Sequence, residues 1–378
     1  MDGSGSISVL HTEWSDGWGG QEIRILGEML LLRERGVNVY LSGKPHAQIT
    51  REAKRHGIMT FDLRFSGMLD LMTMIRLVKI IKKHQISIVN THSGKDTWLG
   101  GIAAKLGGAK FIRTRHLAIP INPSRLNFIN SLADHIITTG DTVREAMIRD
   151  NRILPGRITS IPTMPNHEKF DPKNYNRLEQ RNRLGLDPGH VAVGIVGVLR
   201  RVKRIDLFIC MAEKVSRMNN NARFFIVGEG PLAGDLKTMV KQKQLEDVVF
   251  FTGHLDEPAE LMVALDVYTQ TSDSETTTQT IPQALLMGLP VVSTDVGSIR
   301  QIHDNDNFIL VQHGDVEVLV REVLRLVESE ECRKLYASKS RASVKSDYSA
   351  DKMADKTLEI YHQLLERRAE HNREEESS

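Results

Sequence analysis

Short β-rich runs, many of them apolar on both faces, recur along the first half of the chain, at residues 7–10, 37–41, 86–90, 111–114, 135–139 and 158–161. A strand with one wet face alternates apolar and polar positions, so runs lacking that alternation read as strands covered on both sides. Segments with helical spacing fill the gaps, as at 21–35 and 70–83. Strands alternating with helices predict βαβ units and a parallel, doubly wound sheet. The rhythm breaks over 162–189, where Pro162, Pro165, Pro172 and Pro188 stand among polar residues. A second series then follows, at 191–197, 224–228, 248–251, 267–269, 291–293 and 308–311. The pattern predicts two Rossmann-like α/β domains, residues 1–170 and 190–349, joined by a linker over 171–189. A helix near 350–368, with Met353, Leu358, Tyr361 and Leu364 on one face, is expected to pack back on the first domain. The charged remainder, 369–378, is expected to fray. Ligands of such sheets sit outside the carboxyl ends of the strands, so the cleft between the domains is the expected site.

Composition narrows the class. Of 378 residues 40% are hydrophobic and 26% charged, a globular balance. No apolar run approaches the roughly 20 residues of a membrane span. The N-terminus lacks the basic and apolar succession of a secretory leader. Cys210 and Cys332 form neither a metal motif nor a disulfide framework, which suits a reducing cytoplasm. Charge is uneven: residues 1–170 hold 23 Lys+Arg against 15 Asp+Glu, and the rest hold 27 against 33. A basic first half favours an anionic partner there.

The stretch from Ser274 to Ser293 carries the strongest chemical signal. A strand-like run ends, Glu275 sits in a polar loop, a helix opens, and Gly288 with Pro290 closes it before the next strand. An opening helix offers unpaired N–H groups to an anion. The carboxylate of Glu275 beside them suits sugar hydroxyls. Upstream, a glycine ends one strand at Gly197 and is followed by Arg200, Arg201 and Lys203. Glycine-acidic-glycine-proline occurs at Gly228–Pro231, and Phe-Thr-Gly at 251–253. The first half carries Gly19, Gly20, Gln21 and Glu22 between its first strand and helix, and Arg113, Thr114, Arg115 and His116 at the end of its fourth strand. His92 ends the preceding strand and is a weaker cleft candidate. The dinucleotide pattern G-x-G-x-x-G is absent after the first strand, which argues against a nicotinamide enzyme. Asp304 and Asp306 have a metal-binding spacing but read as a solvent loop, so no metal is expected.

In this order the motifs resemble the family 4 retaining glycosyltransferases of the GT-B fold, over roughly residues 5–365. The resemblance implies a nucleotide-diphosphate sugar as co-substrate, with no cofactor. It implies that Lys203, with Arg200 or Arg201 in place of the family's usual arginine, holds the diphosphate. The backbone around Thr277, Thr278 and Gln279 joins them, and Gly230 lies in the donor-side turn. Glu275 and His116 are implied at the transferred sugar. Gln283 stands where the family has a ribose-binding glutamate, keeping an acceptor oxygen without the charge. Gly19 and Gly20 are implied near the donor, and Glu22, Arg113 and Arg115 face the acceptor. The expected function is transfer of a hexose or heptose to a glycan or glycolipid of a bacterial surface polysaccharide: lipopolysaccharide, O-antigen or capsule. A sugar-nucleotide epimerase and a non-catalytic glycan-binding relative are the alternatives. The basic amphipathic helix over 68–83 reads as a sheet cover, or as a contact with the inner face of an anionic membrane. Nucleic acid is not an expected partner.

Overall fold

The computed structural model describes residues 6–67, 69–116, 121, 128–255, 257–275, 278–297, 299–303, 306–344 and 348–376, with side chains described as far as 367 except that of Gln301. The chain forms two units. One holds Met1–Thr163 with Ala350–Ser378, the other Met164–Ser349.

The first unit is built on seven parallel strands: β1 (Ser8–Glu13), β2 (Asn38–Gly43), β3 (Met59–Asp62), β4 (Ile88–Thr91), β5 (Lys110–Arg115), β6 (His135–Thr138) and β7 (Ile158–Ser160). Their order across the sheet is β3-β2-β1-β4-β5-β6-β7. Every residue of β1 is buried, including His11, Thr12 and Glu13. The apolar run predicts a strand that stops at Leu10. The strand continues because neighbouring side chains satisfy those polar groups. Strand β3 escapes the pattern altogether, since it is a half-exposed edge with no apolar run. The helix Ala350–Glu376 packs on this unit through Met353, Ala354, Thr357, Ile360, Tyr361 and Leu364. Asn90 Nδ2 donates to the buried Tyr361 hydroxyl at 3.1 Å. Arg35 pairs with Asp351 at 2.9 Å and Asp355 at 2.7 Å.

The second unit has six parallel strands: β8 (Val191–Val196), β9 (Ala222–Val227), β10 (Val249–Gly253), β11 (Val267–Gln270), β12 (Val291–Thr294) and β13 (Ile309–Val311). Their order is β10-β9-β8-β11-β12-β13. Residues 171–189, expected as a linker, lie within this unit and contain the helix Arg177–Arg183. Arg177 and Arg181 of that helix hold the two carboxylate oxygens of Asp266 at 2.6 and 2.9 Å.

Candidate functional site

In the second sheet β8 and β11 are neighbours, while the chain builds β9 and β10 to one side and β12 and β13 to the other. The loops leaving β8 and β11 therefore part in opposite directions and open a crevice at their carboxyl ends. Lys203 comes from the first loop and Glu275 from the second. Lys203 Nζ lies 2.6 Å from Glu275 Oε1. Gln270 Nε2 and the Ser272 hydroxyl donate to the same oxygen, each at 2.6 Å. Gln270 is fixed in turn, its Oε1 accepting from the buried Tyr268 hydroxyl at 2.8 Å and from Thr280 at 3.2 Å. Glu275 Oε2 has no partner among the described residues. The result is a nearly buried carboxylate whose one oxygen is held and whose other is uncommitted. Gln270 and Ser272 were not singled out from sequence. Only the polar residues that follow the run 267–269 signalled them.

Backbone contacts fix both loops. Asp273 N–H donates to Val202 carbonyl at 2.8 Å, and Thr271 hydroxyl lies 3.0 and 2.9 Å from the carbonyls of Lys203 and Arg204. Arg204 has φ of 48° and pairs with Asp206 and Asp273. Gly230 packs against the backbone of Leu199, where a Cβ would come within 2.6 Å of the carbonyl oxygen. Its place is thus to let the Gly228–Pro231 turn approach the Lys203 loop. Gly297, at φ of 58°, lies against Glu275 in the same way, with a virtual Cβ 1.9 Å from its carbonyl oxygen. Arg200 and Arg201 are exposed and have no carboxylate partner among the described residues. The helix after Glu275 spans Thr280–Leu286, opening with Gln279 as its N-cap. Thr278 is buried, its hydroxyl 3.3 Å from that of Thr280. Thr277 lies outside the described residues, as does Asp304. Gln283 is half-buried, one turn into the helix.

The first sheet repeats the reversal between β1 and β4. At their carboxyl ends Glu13 Oε1 accepts from Ser15 N–H at 2.8 Å and from the Ser93 hydroxyl at 2.8 Å, and its Oε2 accepts from Gln21 at 2.6 Å. Burial, then the nearby charge of Asp96, push the Glu13 carboxyl up to about 8, against the pull of these donors. Burial likewise raises Asp96 to about 6, although His92 and Ser93 N–H groups and Thr12 hydroxyl donate to it. Glu22 is buried and accepts from the Gly19 N–H at 3.0 Å, satisfying the N-cap of the helix Gly20–Glu34. Glu22, expected above to face the acceptor, is thus engaged at its own helix end. Gly19 caps the helix in extended backbone, and Gly20 is exposed at its first position.

Arg113, also expected to face the acceptor, stands in β5. It is buried, bonded to Asn130 Oδ1, and lowered to about 10 by burial and then by Arg115. Strand alternation puts Arg115 on the same face two residues on, where it is half-buried. His116 follows, half-buried and joined through His92 to His11. His92, the lesser candidate, and His11, which sequence did not mark, thus belong to the His116 cluster. Burial lowers His11 to about 3 and holds His92 and His116 well below the usual histidine range. Among the described residues no three His, Cys, Asp or Glu side chains gather as a metal site.

Two doubly wound parallel sheets, each with a crevice at its reversal, define the GT-B architecture. Comparison with known proteins agrees. Residues 18–169 match the family described as Glycosyltransferase Family 4, and residues 190–329 the one described as Glycosyl transferases group 1. The chain belongs to the family 4 glycosyltransferases of the GT-B fold. It is 24% identical over 293 residues to the phosphatidylinositol N-acetylglucosaminyltransferase GPI3 subunit of Saccharomyces cerevisiae (strain YJM789), a match covering 75% of this chain and 64% of that one. It is 28% identical over 199 residues to the poly(ribitol-phosphate) alpha-N-acetylglucosaminyltransferase of Staphylococcus aureus (strain COL), covering 51% and 40%. The chain thus spans less than two thirds of the length of either relative. In fold it is similar to Anabaena Alr3699/HepE in complex with UDP-glucose, at a TM-score of 0.80 and 16% identity, covering 94% of this chain and 100% of that one.

Proposed function

We propose that this protein transfers a hexosyl or related sugar from a nucleotide-diphosphate donor to a glycan or glycolipid, with retention at the anomeric carbon. The Lys203–Glu275 pair at the crevice of the second sheet carries the reading. When the anomeric bond breaks, negative charge gathers on the departing diphosphate and the sugar becomes oxocarbenium-like. A preorganised cation at the leaving oxygen favours that separation. Lys203 supplies it, exchanging part of its bond to Glu275 for phosphate oxygens, and exposed Arg200 or Arg201 adds a second. The N–H groups near Thr277, Thr278 and Gln279 take further oxygens. Glu275 keeps Oε1 anchored on Gln270 and Ser272 and offers Oε2 to sugar hydroxyls, and His116 is assigned to the sugar by the family resemblance. Gln283 accepts from the ribose. No metal step is needed in this scheme, because the ammonium does the work of the divalent ion.

A phosphate-bearing acceptor fits best. The two relatives are named for phosphatidylinositol and poly(ribitol-phosphate), and residues 1–170 carry the excess of Lys+Arg, 23 against 15 acidic groups. Half-buried Arg115 and a membrane-held acceptor are compatible with this basic half. The chemistry suits a bacterial surface polysaccharide assembled at the cytoplasmic face of the inner membrane. No helix among the described residues is long and apolar enough to cross a membrane. Contact would instead run through the helix Leu71–Lys83, where Leu71, Met72 and Ile75 are exposed beside Arg76, Lys79, Lys82 and Lys83.

The test is a panel of nucleotide sugars with crude bacterial glycolipid, read by product mass. A single sugar increment on the acceptor, with free nucleoside diphosphate, supports transfer. Isomerised donor without acceptor would make the protein an epimerase, and no binding to any nucleoside diphosphate would make it a non-catalytic relative.

A further inference from the structure

Three histidine rings stand in line in the first unit. His11 Nδ1, from β1, lies 2.9 Å from His92 Nε2, with ring centroids 5.2 Å apart and 5° between the ring planes. His92 Nδ1 lies 3.1 Å from His116 Nε2, with ring centroids 5.3 Å apart. Burial keeps all three rings neutral near pH 7. A neutral imidazole has one N–H, so His92 donates in one contact and accepts in the other. Both bonds therefore point the same way along the line, and two polarities exist. With His116 donating inward, the last proton sits on His11 Nε2, which is buried and has no partner among the described residues. With His11 donating outward, that nitrogen is a bare lone pair and the last proton sits on His116 Nδ1. A buried N–H without an acceptor is the rarer arrangement, so the outward polarity is favoured.

We infer that His11 and His92 are positioning residues that fix His116 as an Nδ1–H donor, presented to a hydroxyl or carbonyl oxygen of the bound sugar rather than acting as a base. The ligand in this statement rests on the transfer reading; the proton pattern does not. His116 Nδ1 has no partner among the described residues, and its half-exposure leaves that donor available. A general base would need a bare nitrogen there instead.

Long-range proton–nitrogen spectra of the full chain, with nitrogen-15 histidine and no ligand, read the tautomers directly. The expected result is His116 protonated on Nδ1; protonation on Nε2 overturns the inference. His11→Phe keeps a ring but cannot donate, whereas His11→Asn returns an N–H near the position of Nδ1. His11→Phe should turn His116 into a tautomer mixture and lower kcat/KM about tenfold, the scale of one hydrogen bond. His11→Asn should restore both. An unchanged His116 pattern in His11→Phe also overturns the inference. The tautomer pattern in a protein that transfers no sugar would sink the transfer reading and support this one.

Discussion

A carboxylate nearly buried beside an ammonium is costly unless both have work to do. At Glu275 three donors share Oε1, and the pairing with Lys203 would loosen as phosphate arrives. Lys203→Ala and Glu275→Ala are each expected to lower turnover about 100-fold or more, with circular dichroism unchanged. Steady-state kinetics that stay near wild type in either variant would remove the pair from the chemistry. Glu13 gives a separate test. Its carboxyl is near 4.5 when unperturbed and held up to about 8 in the fold. The folded state therefore keeps a proton that the unfolded chain has lost, and stability falls as pH rises through that window. His11 acts oppositely, moving from 6.5 to about 3, so its contribution is lost only as pH falls below 6.5. Between pH 6.5 and 8 the Glu13 effect stands apart. Urea midpoints should drop over that interval in the wild type and drop less in Glu13→Gln; equal slopes would contradict the buried-acid account. Lys203 and Glu275 were legible because loop motifs bracket them. His11, Glu13 and Gln270 were not, since a polar residue in a strand looks like the strand's end until its partners from distant segments are known.

Individual elements show the same limit. The buried strands of both sheets are readable from apolar runs, because burial on two faces leaves little room for anything else. The edge strand β3 is not, because an exposed edge makes few demands on its residues. Residues 171–189 read as a linker from their prolines, yet the helix Arg177–Arg183 lies among them, secured by a salt bridge to Asp266 that no local pattern announces. The helix Leu71–Lys83 turns Thr73, Leu77 and Ile81 inward and leaves Leu71, Met72 and Ile75 outside. Sedimentation with vesicles should show binding to anionic lipid that weakens with salt. Replacing Leu71, Met72 and Ile75 together with serine should abolish most of it. Binding that ignores both lipid charge and these substitutions would assign the face to something else.

Across the whole molecule, two copies of one architecture carry different polar equipment at the same topological place. The second sheet sets an ion pair at its reversal, and the first sets a carboxyl pair and a line of histidines. The last helix belongs to the first unit, held by Tyr361 against Asn90 and by Arg35 against Asp351 and Asp355. Tyr361→Phe should cost about 1 kcal/mol of stability, since it strands a buried amide donor. Removing residues 350–378 should do far more, exposing the sheet-facing side chains of the first unit. Differential scanning calorimetry would show this as a lowered melting transition, and an unmoved trace would mean the helix is ornamental.

Gly297 carries one more consequence. Its backbone lies so close to that of Glu275 that no larger amino acid fits without pushing the Glu275 backbone aside. Under the proposed function, a methyl group added there would act indirectly, by tilting the acid assigned to the sugar, and the damage should register as lost catalysis in a protein whose other parts remain whole.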